Sequence, residues 1–245
     1  MDISQFELHA RIEDTHWWFK ARREIIFDQL KEYVPPGKGK VIAEIGCGTG
    51  GNLKFLQNYY QVVGVDSSPE AVRYARQRVN CSVFLSDFRD ALSGRWHDLD
   101  AVILADVLEH IDDHAVFLRD LVTCLKPRSV LLITVPAHAW IWSQHDAILG
   151  HKRRYSAKSL RSLWNDLPVT ELIFSPFNCL LFPVMVLYRK LKSDANASGA
   201  SDLNLPSTVV NHLLYRIFSA ERLLLKLSSL PWGLSYLAIL KKSED

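Results

Sequence analysis

Glu44-Ile-Gly46-Cys47-Gly48-Thr-Gly50 places a carboxylate and three glycines between a short apolar run and a stretch of helical pattern. Glycines there permit a tight turn and let backbone approach a ligand closely. The helix start beyond them offers free N–H groups. Such a turn ordinarily suggests a dinucleotide, but the spacing is G-x-G-x-G rather than G-x-G-x-x-G. Glu44 also stands at the strand end, facing the loop. A carboxylate there would repel a pyrophosphate and attract an α-ammonium group. Asp66 follows about 20 residues after the loop, the distance at which an acid accepts hydrogen bonds from both hydroxyls of a ribose. Ser67 lies beside it, and Asp87 closes the next apolar run, placed to accept from an adenine amino group. S-adenosylmethionine combines an ammonium group, a free ribose diol and an adenine without any phosphate.

A second constellation runs from His138 to Tyr155: His138, Trp140, Trp142, His145, Asp146, His151, Arg153, Arg154 and Tyr155. Its indoles suit stacking on a planar or apolar acceptor. His145 or His151 suits a general base near neutral pH, and Arg153, Arg154 and Tyr155 suit a carboxylate or phosphate. Alternatively Arg154 and Tyr155 pair with Asp146 and brace the loop. His145, Asp146 and His151 have no metal-site spacing, so no metal is expected.

The elements that must position these groups alternate. Helical pattern over 14–34, capped at Asp14 or Thr15, stops at Pro35-Pro36-Gly37. Apolar runs at 41–45, 61–65, 82–85, 101–104 and 130–135 read as buried strands. Helices are expected between them, at about 52–59, 69–78 and 113–125, with Ser68 before Pro69 as one start signal. Strands alternating with helices imply a parallel, doubly wound α/β sheet with helices on both faces. Beyond Pro136 the expectations are a helix over 156–164, strands at 169–174 and 235–241, and a helix over 209–227. Residues 193–207 read as a mobile loop. The uncharged stretch 172–188 reads as a strand and turn leading into an apolar helix, with contact to a membrane surface as its alternative.

Composition narrows the rest. The chain has 245 residues, 48% of them hydrophobic, and a formal net charge of +2, so no nucleic-acid partner is implied. Cys47, Cys81, Cys124 and Cys179 form no C-x-x-C pair, as expected of a reducing, cytoplasmic setting. The N-terminus shows no secretory pattern.

The motifs resemble those of class I S-adenosylmethionine-dependent methyltransferases, closest to the small-molecule branch that includes quinone-biosynthesis enzymes. E-I-G-C-G-T-G at 44–50, V-V-G-V-D at 62–66, S-D-F at 86–88, D-V-L-E-H-I at 106–111 and L-K-P-R-S-V-L-L-I-T-V-P at 125–136 carry the likeness. That family often has P-G-G where this chain has Pro127-Arg128-Ser129. The resemblance implies a Rossmann-like seven-stranded sheet, mostly parallel, with an antiparallel last strand. It implies that Glu44 with Gly46, Cys47, Gly48 and Gly50 holds the methionine part, that Asp66 and Ser67 hold the ribose, and that Asp87 and Phe88 hold the adenine. Ala105 and Asp106 would line the sulfonium, with His110 beside them or serving only as a helix start. His16 to Arg22 resembles a lid helix in which Arg22, and Trp18 with it, closes over the methionine carboxylate. The expected organisation is a cap over residues 1–36 and one methyltransferase domain over 37–245 with a helical insertion around 176–230. The expected acceptor is small and apolar or amphiphilic: a quinone, a polyketide or a lipid-linked sugar. A non-catalytic binding protein and an RNA methyltransferase are the alternatives.

Overall fold

A computed structural model describes residues 3–193 and 205–244; most of the loop expected at 193–207 lies outside them. The chain opens with α1 (Ile3–Ile12) and α2 (Trp17–Lys31). It then alternates through β1 (Val41–Ile45), α3 (Gly51–Leu56), β2 (Gln61–Asp66), α4 (Pro69–Arg78), β3 (Ser82–Leu85), α5 (Phe88–Ala91), β4 (Leu99–Ala105), α6 (His114–Cys124) and β5 (Val130–Pro136). After β5 come α7 (Gln144–Leu149), α8 (Ala157–Arg161), β6 (Val169–Phe177), α9 (Phe182–Ser193), α10 (Thr208–Leu227) and β7 (Ser235–Lys242).

The strands form one seven-stranded sheet in the order β3-β2-β1-β4-β5-β7-β6. β1 to β5 pair in parallel; β7 runs antiparallel to both neighbours and lies between β5 and β6. The expected architecture therefore holds, including the reversed last strand. Successive strand residues point to opposite faces, and both faces are covered. Ile42, Ile103, Leu132 and Ile239 face a core shared with α2 and α10. Ala43, Val102, Leu131, Ile133 and Leu240 face a second core shared with α6 and α8. Each large aliphatic side chain so buried contributes about 1.5–3 kcal/mol, which is why residues 101–104 of β4 and 130–133 of β5 read as unbroken apolar runs.

The N-terminus differs from the single capped helix expected. Asp14 pairs with Arg78 and Lys54, and Thr15 donates to the Ile12 carbonyl, so neither is available as a cap. His16 caps α2 instead, accepting at Nδ1 from the Trp18 N–H at 3.3 Å. Residues 1–36, expected as a cap, send Ile25, Ile26 and Leu30 of α2 into the sheet's own core. α2 is fastened to α10 as well: Asn211 accepts from the Trp17 N–H and donates to the Thr15 carbonyl, both at 2.9 Å. Arg222 pairs with Glu24 and Asp28.

Arg128, where the resembled family often has glycine, adopts φ 68°. That is left-handed backbone, which costs a non-glycine residue about 1–2 kcal/mol. Its N–H donates to the Lys242 carbonyl at 3.1 Å, which ties the turn to β7.

Candidate active site

Turns at the C-terminal ends of β1, β4 and β5 open into a cleft of about 240 Å³ under α1 and α2. Ligands bind on this side in doubly wound sheets. The floor is the glycine loop. Gly46, Gly48 and Gly50 have φ of 72°, 54° and 84°. At Gly46 a Cβ would stand 2.6 Å from Val107 Cγ2, so both the backbone angle and the space require glycine. The Val65 carbonyl accepts from the N–H groups of Gly46 and Cys47, and Asp66 accepts from those of Gly48 and Ser68 at 2.9 and 2.8 Å.

Glu44 faces this floor and is 1% exposed. Its Oε1 accepts from Asn52 at 2.7 Å, while Oε2 has no hydrogen-bond partner although it is buried. Burial pushes its pKa up to about 7, and Asn52, Arg22 and Arg23 pull it only partly back. An unpartnered buried carboxylate oxygen is costly unless a ligand supplies a donor.

The opposite wall starts at Asp106, whose φ of 60° is strained for a non-glycine residue. The Asp106 N–H donates to the Thr134 carbonyl, and Oδ1 accepts from the Thr134 hydroxyl at 2.9 Å. Oδ2 pairs with Arg22 at 2.7 Å. Arg22 also donates to Thr134 Oγ1 at 3.0 Å and lies 5.0 Å from the Trp18 ring, leaving its Nε without a hydrogen-bond partner. Arg22 and Trp18, expected as part of a lid, both line the cleft, with one Arg22 nitrogen already committed to Asp106.

Glu109, His110 and His151 meet further along. Asp146 is buried and holds His151 Nδ1 at 2.9 Å, while Arg154 grips the same carboxylate at 2.7 Å. Burial alone would raise the Asp146 carboxyl; His151 and Arg154 outweigh it and hold the group well below the usual carboxylate range. His151 Nε2 is left facing Glu109 Oε1 at 4.0 Å. Glu109 is fully buried with neither oxygen hydrogen-bonded, and burial next to Asp106 pushes its pKa well up. Burial lowers the His110 pKa to about 4, so that ring is neutral near pH 7. One ligand atom from each of Glu109, His110 and His151 lies within 4.8 Å of the others. Arg22 and Arg154 bear on this Glu109 as positive charges and pull its raised pKa partly back.

The cleft brings together Trp18, Arg22, Glu44, Gly46, Cys47, Gly48, Ala105, Asp106, His110, His145 and His151 of the residues expected from sequence. Gly50 serves as the left-handed residue that starts α3. Five of the others lie outside the cleft lining. Asp66 holds the loop through the Gly48 N–H, and Ser67 is exposed next to it. Asp87 caps α5 and pairs with Arg89, while the Phe88 ring is buried with its centroid 4.8 Å from that of Phe117. Tyr155 is corrected most plainly: it is 2% exposed, its hydroxyl is 2.7 Å from His114 Nδ1, and it does not line the cleft. Of the two readings of Arg154, the pairing with Asp146 is the one observed. Sequence reasoning passed over Glu109, Glu13 and Asn52, all of which line the cleft. Only the position of Glu109 just beyond β4 could have signalled it.

The model of the methyltransferase domain family matches residues 18–168. This chain belongs to that family. Among curated methyltransferases, trans-aconitate 2-methyltransferase of Escherichia coli (strain K12 / DH10B) is 28% identical over 134 residues, covering 52% of this chain and 51% of the relative. The chain spans about half the length of the curated relatives it matches. A crystal structure of a SAM-dependent methyltransferase from Archaeoglobus fulgidus shares the fold at TM-score 0.53 and 21% identity, covering 90% of this chain and 94% of that one. The N-methyltransferase NodS from Bradyrhizobium japonicum WM9, solved with S-adenosyl-L-homocysteine, does so at TM-score 0.54 and 16% identity, over 91% and 87%. The matched residues include the glycine floor, Asp106, Glu109 and His151, while α9 and α10 lie in chain beyond them.

Proposed function

We propose that this chain transfers a methyl group from S-adenosylmethionine to a small acceptor with an apolar or amphiphilic body. The observation that carries this reading is Glu44 Oε2, buried and unpartnered over the glycine floor. That oxygen fits an α-ammonium group, and the left-handed glycines leave room for a ligand to approach the backbone. Arg22, with Nε unengaged, would take the carboxylate, and Trp18 would cover it. When bound, S-adenosylmethionine supplies a methyl group already activated by a sulfonium. What remains for the protein is alignment and exclusion of water. Asp66 would hold the loop in shape and offer its remaining lone pairs to a sugar.

His151 is the base this reading assigns. Asp146 fixes the proton on Nδ1 and turns Nε2 into the cleft, toward Glu109. Such an imidazole accepts a proton from an acceptor hydroxyl or amine. Tyr155 is dropped from that role by its burial, and His145 stays as a cleft-lining group. The acceptor class is supported by the apolar side chains of Pro136, Leu149, Met185 and Leu234 in the lining. A quinone, polyketide or lipid-linked sugar fits that surround.

The test is calorimetric titration with S-adenosylhomocysteine. Saturable binding in the micromolar range is expected, weakened at least tenfold in Glu44→Gln. Heat that never saturates at millimolar ligand would refute the reading.

A further inference from the structure

The face of α10 turned away from the protein is apolar. Val209, Leu213, Leu223, Leu224 and Leu227 are 79%, 56%, 68%, 39% and 83% exposed. At 100° per residue they fall within an arc of about 100°. Phe218, Glu221 and Leu225, on the opposite side, are buried against α2 and the sheet. Ordinary water-facing helices put charges where these leucines stand. Among the described residues, the exposed ionisable side chains of α10 are His212, Arg216 and Lys226, on and beside the same stripe. The helix has one carboxylate, Glu221, and it is fully buried, accepting from the Asn178 and Leu180 N–H groups at 2.7 and 2.8 Å.

We infer that this face docks on the surface of an anionic lipid bilayer. A basic amphipathic helix lies in the interfacial plane, with leucines among the acyl chains and cations among the headgroups. Arg216, within the stripe, is long enough to reach outward while its stem stays in the apolar layer. The charge pattern selects this occupant over a second copy of the chain. A two-fold contact through α10 would bring the cations of both copies onto one self-facing patch, with no exposed acid on the helix to pair with them. No helix among the described residues is long and apolar enough to cross a membrane, so the contact lies in the plane. The sequence offered membrane contact at 172–188 only as the alternative to a strand and turn leading into a helix; this inference rests on α10 instead, while Val184 and Leu187 of α9 are exposed at 61% and 59%. The inference goes beyond the transferase reading and does not depend on it.

Co-sedimentation with vesicles tests it without any acceptor. The wild-type chain is expected to pellet with phosphatidylcholine vesicles containing phosphatidylglycerol, less with phosphatidylcholine alone, and less as salt is raised. Leu213→Asp/Leu227→Asp should weaken binding more than about tenfold. Arg216→Glu/Lys226→Glu should weaken it by about fivefold or more for each charge and flatten the salt dependence. Melting curves and S-adenosylhomocysteine titration on each variant separate loss of docking from loss of folding or of the cleft. The inference is overturned if the wild type stays in the supernatant with anionic vesicles, or if the aspartate variant pellets equally well. It is also overturned if lipid-free ultracentrifugation shows a dimer that the same aspartates disperse.

Discussion

Replacing Glu44 with glutamine should weaken ligand binding and strengthen the fold. Glutamine keeps the shape and a carbonyl oxygen for Asn52, and removes the charge. In the folded chain the Glu44 pKa is about 7, against an ordinary 4.5. Between those values the folded state holds a proton that the unfolded state has released. Stability therefore falls as pH rises through that window and stays reduced above it. The shift corresponds to roughly 3 kcal/mol at full ionisation. Glutamine carries no such penalty, so at pH 8 the variant should melt several degrees above wild type; for a chain of this size 1 kcal/mol is worth about 2–4 °C. Binding changes in the opposite sense. An ammonium group against neutral glutamine lacks a charge-assisted hydrogen bond worth about 1.5–3 kcal/mol, roughly ten- to hundredfold in affinity. In the wild type, S-adenosylhomocysteine should bind progressively less well as pH drops below about 7, as the carboxylate protonates. Differential scanning calorimetry and titration calorimetry at pH 8 read both effects. Wild-type affinity in the variant, or a melting point well below wild type, would refute the electrostatic argument for this cleft.

Three further changes follow from the same geometry. Gly46→Ala forces a Cβ into Val107 at a φ of 72°, and thermal melting should show a loss of about 1–3 kcal/mol together with loss of S-adenosylhomocysteine binding. Asp66→Ala leaves the Gly48 and Ser68 N–H groups without their acceptor, so titration should show binding weakened at least tenfold while urea unfolding shows a loss of about 1–3 kcal/mol. Asp146→Asn strands the buried Arg154 guanidinium and should cost about 3–5 kcal/mol in urea unfolding at pH 7. Because Asp146 is held low, its stabilisation is present at neutral pH, and the deficit of the variant should shrink as pH falls through the ordinary carboxylate range, below about 4.

The sheet was legible because parallel strands covered on both faces leave an apolar trace, and residues 101–104 and 130–133 carry it without a break. The glycine floor was legible because its residue types answer a local backbone demand. What escaped depends on distant partners. Phe88 and Tyr155 sit in motifs beside functional residues, but rings are equally at home in a core, and only Phe117 and His114 decide the matter. Glu109 looks like any acid in a turn until the fold buries it beside His151. Thr49 bonds to Glu13 across 36 positions at 2.5 Å, a contact with no local signature, and it ties the glycine loop to the turn after α1.

The placement of β7 sets the order in which this sheet can be completed. Among the described residues, β6 has no partner in the sheet other than β7, and one edge of β5 waits for the same strand. During synthesis at about 5–20 residues per second, both strands emerge with raw hydrogen-bonding edges while α9 and α10 are still being made. Such edges invite pairing with other chains. Nascent molecules stalled anywhere between Phe177 and Ser235 should therefore be the aggregation-prone ones, and a holdase binding unpaired strands would act during that interval.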